Sequence, residues 1–270
     1  MSLEGRINPL LPSATYGRLA GLPLAARVVE LRKADTRRAI LADLAAEPAG
    51  TTPLDRFPYT FVLGDPARYD QTPEESIGAQ ARRNGSSAAE IAYDVLLANG
   101  GTGVLYVPVV NFVDADFQAV REMLVHPLTV PGLGDAGAHC TMICDASFPT
   151  YLLSYWGVSA APDQRLPLEW IIKSQCADTA ALVGLNDRGI LAAGYRADVN
   201  VIDLDGLAIS TPEMRYDLPA SGKRLVQRAS GYLATLVAGE VISRDGQATG
   251  ALPGVLLRGA QPAPMTTSAR

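Results

Sequence analysis

Between Val125 and Thr150 the sequence VHPLTVPGLGDAGAHCTMICDASFPT brings two acids, two histidines and two cysteines into one glycine-punctuated stretch. Carboxylates and imidazoles are the side chains that move protons near neutral pH, so any catalytic chemistry of the chain is expected here. Leu128, Val130 and Leu133 form a short apolar run closed by Gly132-Leu133-Gly134, and Asp135 follows where a buried strand would open into its loop. Barrels of alternating strands and helices take their reactive groups from the C-terminal ends of strands, which makes Asp135 the first catalytic candidate. The plainer reading is an acid that caps the next turn.

For His139, four residues on, two readings stay open: a donor to a substrate oxygen, or a loop histidine bonded to backbone. Asp145 reads more simply as a turn or helix cap ahead of Ser147 than as a reactive acid. Ser147 and Asn111, the latter at the end of the preceding apolar run, are candidate substrate contacts, with a loop cap the plainer reading of Asn111. His139, Cys140 and Cys144 lack a fourth ligand nearby and a paired CxxC, so a zinc cluster there is not expected. A nucleophilic Cys140 is disfavoured because its one obvious partner, His139, is its sequence neighbour. His126, before Pro127, reads as structural.

The rest of the chain must position these groups. Its 270 residues, 48% of them hydrophobic, suffice for a substantial core. Lys plus Arg is 23 against 28 for Asp plus Glu, with no long run of either sign, so nucleic acid and anionic membrane are poor partners. No apolar stretch approaches the roughly 18 to 20 residues of a membrane span, and the N-terminus lacks a signal pattern. Three cysteines, an odd number, fit reduced thiols and a cytoplasmic home.

Along the chain, prolines 9, 12 and 23 leave room for a short helix around Ser13 to Leu19. The opening reads as a loop already in mid-course, as expected of the second half of a longer protein. Leu24 to Ala46 carries a surface-helix pattern broken near Ala34-Asp35, residues 48 to 59 are proline-rich, and Phe61 to Leu63 predict a strand. Ser87 with Glu90 is a capping box for a helix reaching about Ala98. Residues 103 to 110, GVLYVPVV, predict a buried strand ending near Val107, because Pro108 cannot donate to a ladder. Asp114 is placed as cap of a helix bearing Phe117, Val120 and Leu124. The order αβαβ from 86 to 135 argues a parallel α/β sheet or barrel. Helices are then predicted at Tyr151 to Trp156 and Leu166 to Leu182, with a glycine C-cap at Gly184. From Arg188 the texture turns to alternation, with a strand at 198 to 201 and a hairpin over 232 to 244 that turns at Ala238-Gly239.

GLGDAGAH, the passage GLNDRGILAAGYRADVNVID and the closing SGYLATLVAGEVISRDGQATGALPGVLLRG together resemble the C-terminal half of the amidohydrolase superfamily, in its N-acyl-D-amino-acid deacylase branch. The resemblance covers essentially the whole chain. It implies an α/β fold: the C-terminal part of a metal-dependent (β/α)8 hydrolase barrel at 1–187, with an inserted helical and loop region at 1–80. A small β-sandwich portion follows at 188–261, then a tail at 262–270. It further implies a zinc cofactor that polarises the scissile amide and acidifies its water. Asp135 then serves as general base and possible metal ligand, acting on a small-molecule N-acyl amine.

The departures from that family are equally specific. The chain has two histidines in all, His126 and His139, and no His-x-His pair. Three or four protein ligands are needed for tight zinc binding, so weak binding by this chain alone is expected, with the remaining ligands outside it. An upstream half-barrel or a homo-oligomer would complete the fold; a non-catalytic remnant or partner subunit is the rival reading. Where D-aminoacylases place an arginine for the substrate carboxylate, near ASFPT, this chain has Ile143.

Overall fold

The computed structural model describes all residues except Val113, Asp114, Leu133, Asp135 to His139, Ile143 and 266–270. Contacts divide the chain into two compact units. One comprises Met1–Val120, Ala136–Cys144 and Thr211–Val226; the other comprises Arg121–Asp135, Asp145–Ser210 and Gln227–Arg270.

The first unit is built on helices α1 (Ala14–Gly17), α2 (Leu24–Leu31), α3 (Ala34–Ala46), α4 (Pro53–Arg56), α5 (Ile77–Asn84) and α6 (Ala88–Gly101). Strands β1 (Phe61–Val62) and β2 (Leu105–Tyr106) accompany them. The helices start where side chains can satisfy the orphan amides of the first turn. Ser13 accepts from Tyr16 N at the start of α1. Ser87 and Glu90 form the reciprocal box at α6, with Glu90 Oε2 accepting from Ser87 N at 2.7 Å. The apolar faces then meet in one cluster of Leu10, Tyr16, Leu31, Ile40, Ile77, Tyr93, Leu96 and Leu105 with their neighbours. At the end of α6 the backbone turns through left-handed Asn99, Gly100 and Gly101. Gly103 then runs so close to the helix that a Cβ would stand 1.8 Å from the Val95 carbonyl.

β2 pairs antiparallel with β1, Phe61 opposite Tyr106, where a strand buried in a parallel sheet is the expectation. Its brevity follows from Pro108. Among the described residues every ladder is antiparallel.

Helix α7 (Gln118–Val125) starts in the first unit and continues into the second, with Asp116 Oδ1 accepting from Gln118 N at 2.9 Å. The strand expected over Leu128 to Leu133 does not form in its described part. Thr129 Oγ1 donates to the Met123 and His126 carbonyls, locking a turn; Pro131 has no amide to offer; and Leu128 is 88% exposed.

Helix α8 (Phe148–Tyr151) continues in π geometry over Leu152–Ser159, and α9 (Leu168–Lys173) runs through a π segment into α10 (Thr179–Leu182). Leu152, Leu153, Trp156, Leu166 and Ile171 are buried among them. α10 ends as the sequence predicts: Gly184 is left-handed and Leu185 N donates to the Ala180 carbonyl at 2.8 Å. Leu185 also makes a parallel bridge to Gln261, whose amide donates to the Gly184 carbonyl and whose carbonyl accepts from Asn186 N.

The remaining strands are β3 (Val199–Ile202), β4 (Ala208–Ile209), β5 (Glu213–Leu218), β6 (Gly222–Val226), β7 (Ala229–Ser230), β8 (Tyr232–Val237), β9 (Glu240–Arg244) and β10 (Gln247–Ala248). Hairpin β5–β6 belongs to the first unit. In the second, β10-β9-β8-β3 form a four-stranded sheet and β4 pairs β7. The registers sort the sheet's faces. Val199, Leu236 and Val241 lie opposite one another on one face, and Asn200, Thr235 and Ser243 on the other. No residue of this sheet is fully buried on either face.

Candidate functional site

Asp135 and His139, the two leading candidates, and Asp114 and Ile143 fall outside the described residues. What flanks Asp135 is placed within the units. In the second, Gly134 passes beside Asp145, where a Cβ would come within 2.6 Å of the Asp145 carbonyl oxygen, and that carbonyl accepts from Phe148 N at 3.2 Å. Asp145 thus stands in the turn that opens α8, as its position before Ser147 suggests. Ser147 is half-buried and donates its hydroxyl to Gln227 Oε1. In the first unit, Cys140 accepts from Leu225 N of β6 at 2.7 Å and Thr141 accepts from Arg6 N at 3.3 Å.

Asn111 belongs to the first unit and is exposed in a left-handed conformation, φ 60°, which asparagine tolerates better than most residues. It sits beside an assembly that the sequence reading does not foresee. Phe112 meets Tyr59 edge-on at 5.7 Å, Phe61 at 6.1 Å and Phe117 at 5.6 Å. Tyr106 stacks on Phe61 at 6.2 Å and takes Tyr69 edge-on at 4.9 Å. The six rings come from three separated stretches of chain, so no local periodicity marks them. They gather around β1 and β2, where Phe61 is fully buried, and make a rigid apolar surface beside Asn111.

His126 behaves structurally: its Nδ1 accepts from Leu128 N at 3.2 Å. Cys140, Cys144 and Cys176 form no disulfide. Although Cys176 as a residue is exposed, desolvation of its thiol raises the pKa and keeps it protonated, the wrong direction for a nucleophile or metal ligand. Among the described residues no group of three or more His, Cys, Asp or Glu is placed to hold a metal ion. None of their helices is long and apolar enough to cross a membrane.

Arg188 anchors the DRG passage in the second unit. It grips Asp187 through Nε at 2.8 Å and Nη2 at 2.9 Å, which holds the Asp187 carboxyl below its usual range. This part of the family-like pattern is structural.

Comparison with solved structures finds D-aminoacylase. One match, from work on the functional role of its binuclear metal centre, has 20% identity and a TM-score of 0.34, covering 71% of this chain and 36% of that one. A crystal structure that defines D-aminoacylase as a novel subset of amidohydrolases matches at 20% identity and a TM-score of 0.34, covering 80% of this chain and 44% of its own. A D-aminoacylase mutant in complex with copper chloride matches at 20% identity and a TM-score of 0.33. The chain spans less than half the length of these structures. No curated protein matches by sequence. The Amidohydrolase family matches residues 14–243, from α1 through β9 and across both units. With most of its length accounted for in this way, the chain belongs to the amidohydrolase family.

Proposed function

We propose that this chain is part of a metal-dependent hydrolase of a non-peptide C–N amide bond, with an N-acyl amine of the kind cleaved by N-acyl-D-amino-acid deacylases as substrate. The observation that carries the reading is the family match over 14–243, within which Asp135 stands in GLGDAGAH. In this proposal Asp135 takes the proton of the attacking water and passes it to the leaving amine as the C–N bond breaks. A zinc ion would polarise the scissile carbonyl. The described residues do not furnish its ligand set. In this proposal Asp135 is one candidate ligand, and polypeptide outside this chain supplies the others. His139, Asn111 and Ser147 are proposed substrate contacts.

The same reading makes 1–187 the last strands and helices of a barrel and 188–261 a β-sandwich portion, in a cytoplasmic protein. Support for the second comes from the one-sided sheet, whose Val199, Leu236 and Val241 row remains partly exposed.

A partner-subunit reading draws on exposed apolar residues within each unit. Val109 and Val110 are 71% and 74% exposed just beyond β2 in the first. Leu191 and Leu252 stand out in the second at 88% and 93%. Such surface favours association with an upstream half-barrel or another copy.

The test is metal content by atomic emission, with N-acyl-D-amino acid hydrolysis, for the chain alone and co-expressed with the polypeptide encoded upstream. Zinc and hydrolysis on co-expression are expected, with Asp135→Asn retaining metal and losing at least about a hundredfold in rate. Undiminished hydrolysis in Asp135→Asn would overturn the role of Asp135. Neither metal nor hydrolysis in any combination would leave the partner reading.

A further inference from the structure

We propose that the first unit carries a second binding site, a groove that takes an organic monocarboxylate with an apolar tail. The groove, of about 470 Å³, runs between the loop before α1 and the start of α4. Small-molecule clefts span roughly 300–1,000 Å³, so its size suits a compact ligand. Its walls are mostly apolar, with Leu11, Pro53 and Phe57 among them, and two exposed guanidiniums, Arg6 and Arg56, stand on its rim.

The other polar side chains of the groove, Asn8 and Thr51, already have partners. Asn8, buried at the base, donates to Tyr16 Oη at 2.7 Å and accepts from Leu10 N at 2.9 Å. Thr51 donates to the Pro48 carbonyl at 2.6 Å. The acids nearest the arginines in sequence are turned elsewhere. Asp55, beside Arg56, accepts from the Thr52 amide and hydroxyl in the capping box of α4. Glu4, two residues before Arg6, accepts from the Tyr216 hydroxyl, and its carbonyl accepts from Lys223. Arg6 and Arg56 make no ion pair among the described residues, and among the unpaired arginines of this unit these two line the groove.

Two arginines without an ion pair beside apolar walls offer positive charge and apolar contact in one groove, within a chain of net charge −5. Guanidinium pairs a carboxylate with directed hydrogen bonds, and the walls take the tail out of water. The site uses none of the residues proposed for amide hydrolysis and stands apart from that reading.

Decanoate is the probe, titrated calorimetrically into the full chain, with decanol as its uncharged counterpart. Saturable decanoate binding is expected, weakened about tenfold in each of Arg6→Gln and Arg56→Gln. Arg6→Lys and Arg56→Lys should be affected less, and Arg32→Gln, an exposed arginine away from the groove, should bind as the unaltered protein does. Decanol should bind more weakly and should not respond to either glutamine variant. The proposal is overturned if decanoate shows no saturable binding, if both glutamine variants bind it normally, if Arg32→Gln loses as much, or if decanol matches decanoate.

Discussion

Arg188 Nη1 and Asp198 Oδ2 meet at 3.3 Å across ten residues of chain. Asp198 also receives Arg196 Nε on both oxygens, at 2.9 and 3.0 Å, and the Ala238 amide of the β8–β9 turn at 2.8 Å. One carboxylate thus ties the segment after α10 to the tip of a hairpin, and its arginine partners are mostly shielded, with 17% and 20% of their side chains exposed.

Asp198→Ala should therefore cost about 1 to 2 kcal/mol, because it strips a turn amide and two guanidiniums of an acceptor at once. Urea unfolding followed through Trp156 and Trp170, both in this unit, measures it; an unchanged midpoint would show the network to be ornamental. Acidification should act on the neighbouring pair. Asp187 is held below its usual pKa, chiefly by Arg188. Its contribution is therefore complete above the unfolded carboxylate value near pH 4 and is lost as pH falls through the lower folded value. Arg188→Gln should flatten that acid limb.

Gly189 has φ +82°, and a Cβ there would lie 2.7 Å from the Cys176 carbonyl oxygen. Gly250, at φ +90°, has nothing within 4 Å. Gly189→Ala combines a left-handed penalty with a main-chain collision and should cost at least about 2 kcal/mol; Gly250→Ala pays the conformational part alone, about 1 kcal/mol. Thermal midpoints of the two variants compare them directly, and equal shifts would remove the collision from the account.

Tyr93 is fully buried and donates to the Leu31 carbonyl at 2.6 Å; burial pushes its hydroxyl up to about 12. A folded value above the unfolded one near 10 means that this stabilisation is whole below pH 10 and disappears as pH rises through about 12. Tyr93→Phe should lower stability at neutral pH by about 1 kcal/mol, leaving the carbonyl unpaired, and should weaken the alkaline transition. Circular dichroism between pH 9 and 12.5 would read both effects, and an identical alkaline limb in the variant would assign it elsewhere.

Ser87→Ala removes the acceptor for Glu90 N and one of the two donors to the Glu90 carboxylate, the Ser87 amide remaining as the other. A loss of about 1 kcal/mol is expected, with α6 fraying first. Hydrogen exchange at Glu90 and Ile91 should accelerate ahead of the rest of the helix; uniform acceleration would mean that α6 opens as one piece.

What the sequence makes legible here is short in range. Ser87 with Glu90, the Gly184 stop and the Ala238-Gly239 turn each declare themselves within a few residues, and each appears where expected. The helix break near Ala34 does as well, with α2 ending at Leu31 and α3 starting at Ala34. The strand expected after Leu128 has the right apolar residues, but Thr129 spends its hydroxyl on a turn. Hairpin β5–β6 escapes notice because Ala220 and Ser221, rather than glycine or asparagine, take the positive φ of its turn. The aromatic assembly around Phe112 and the groove between Arg6 and Arg56 join residues far apart in sequence, and only folding reveals such neighbours. The stretch read as the reactive centre is known on its flanks, through Gly134, Cys140, Asp145 and Ser147.

The Leu185–Gln261 bridge has a consequence for cleavage. Between β10 and Gln261 the chain forms a loop held at both ends, with Leu252 and Leu256 exposed along it. An endoprotease that accepts leucine would find its site there. After one nick, the upstream piece stays in the sheet through the pairing of β10 with β9, and the downstream piece stays at Gly184 and Asn186 through Gln261. The nicked protein would travel as one species on a native gel and part into two only in denaturant.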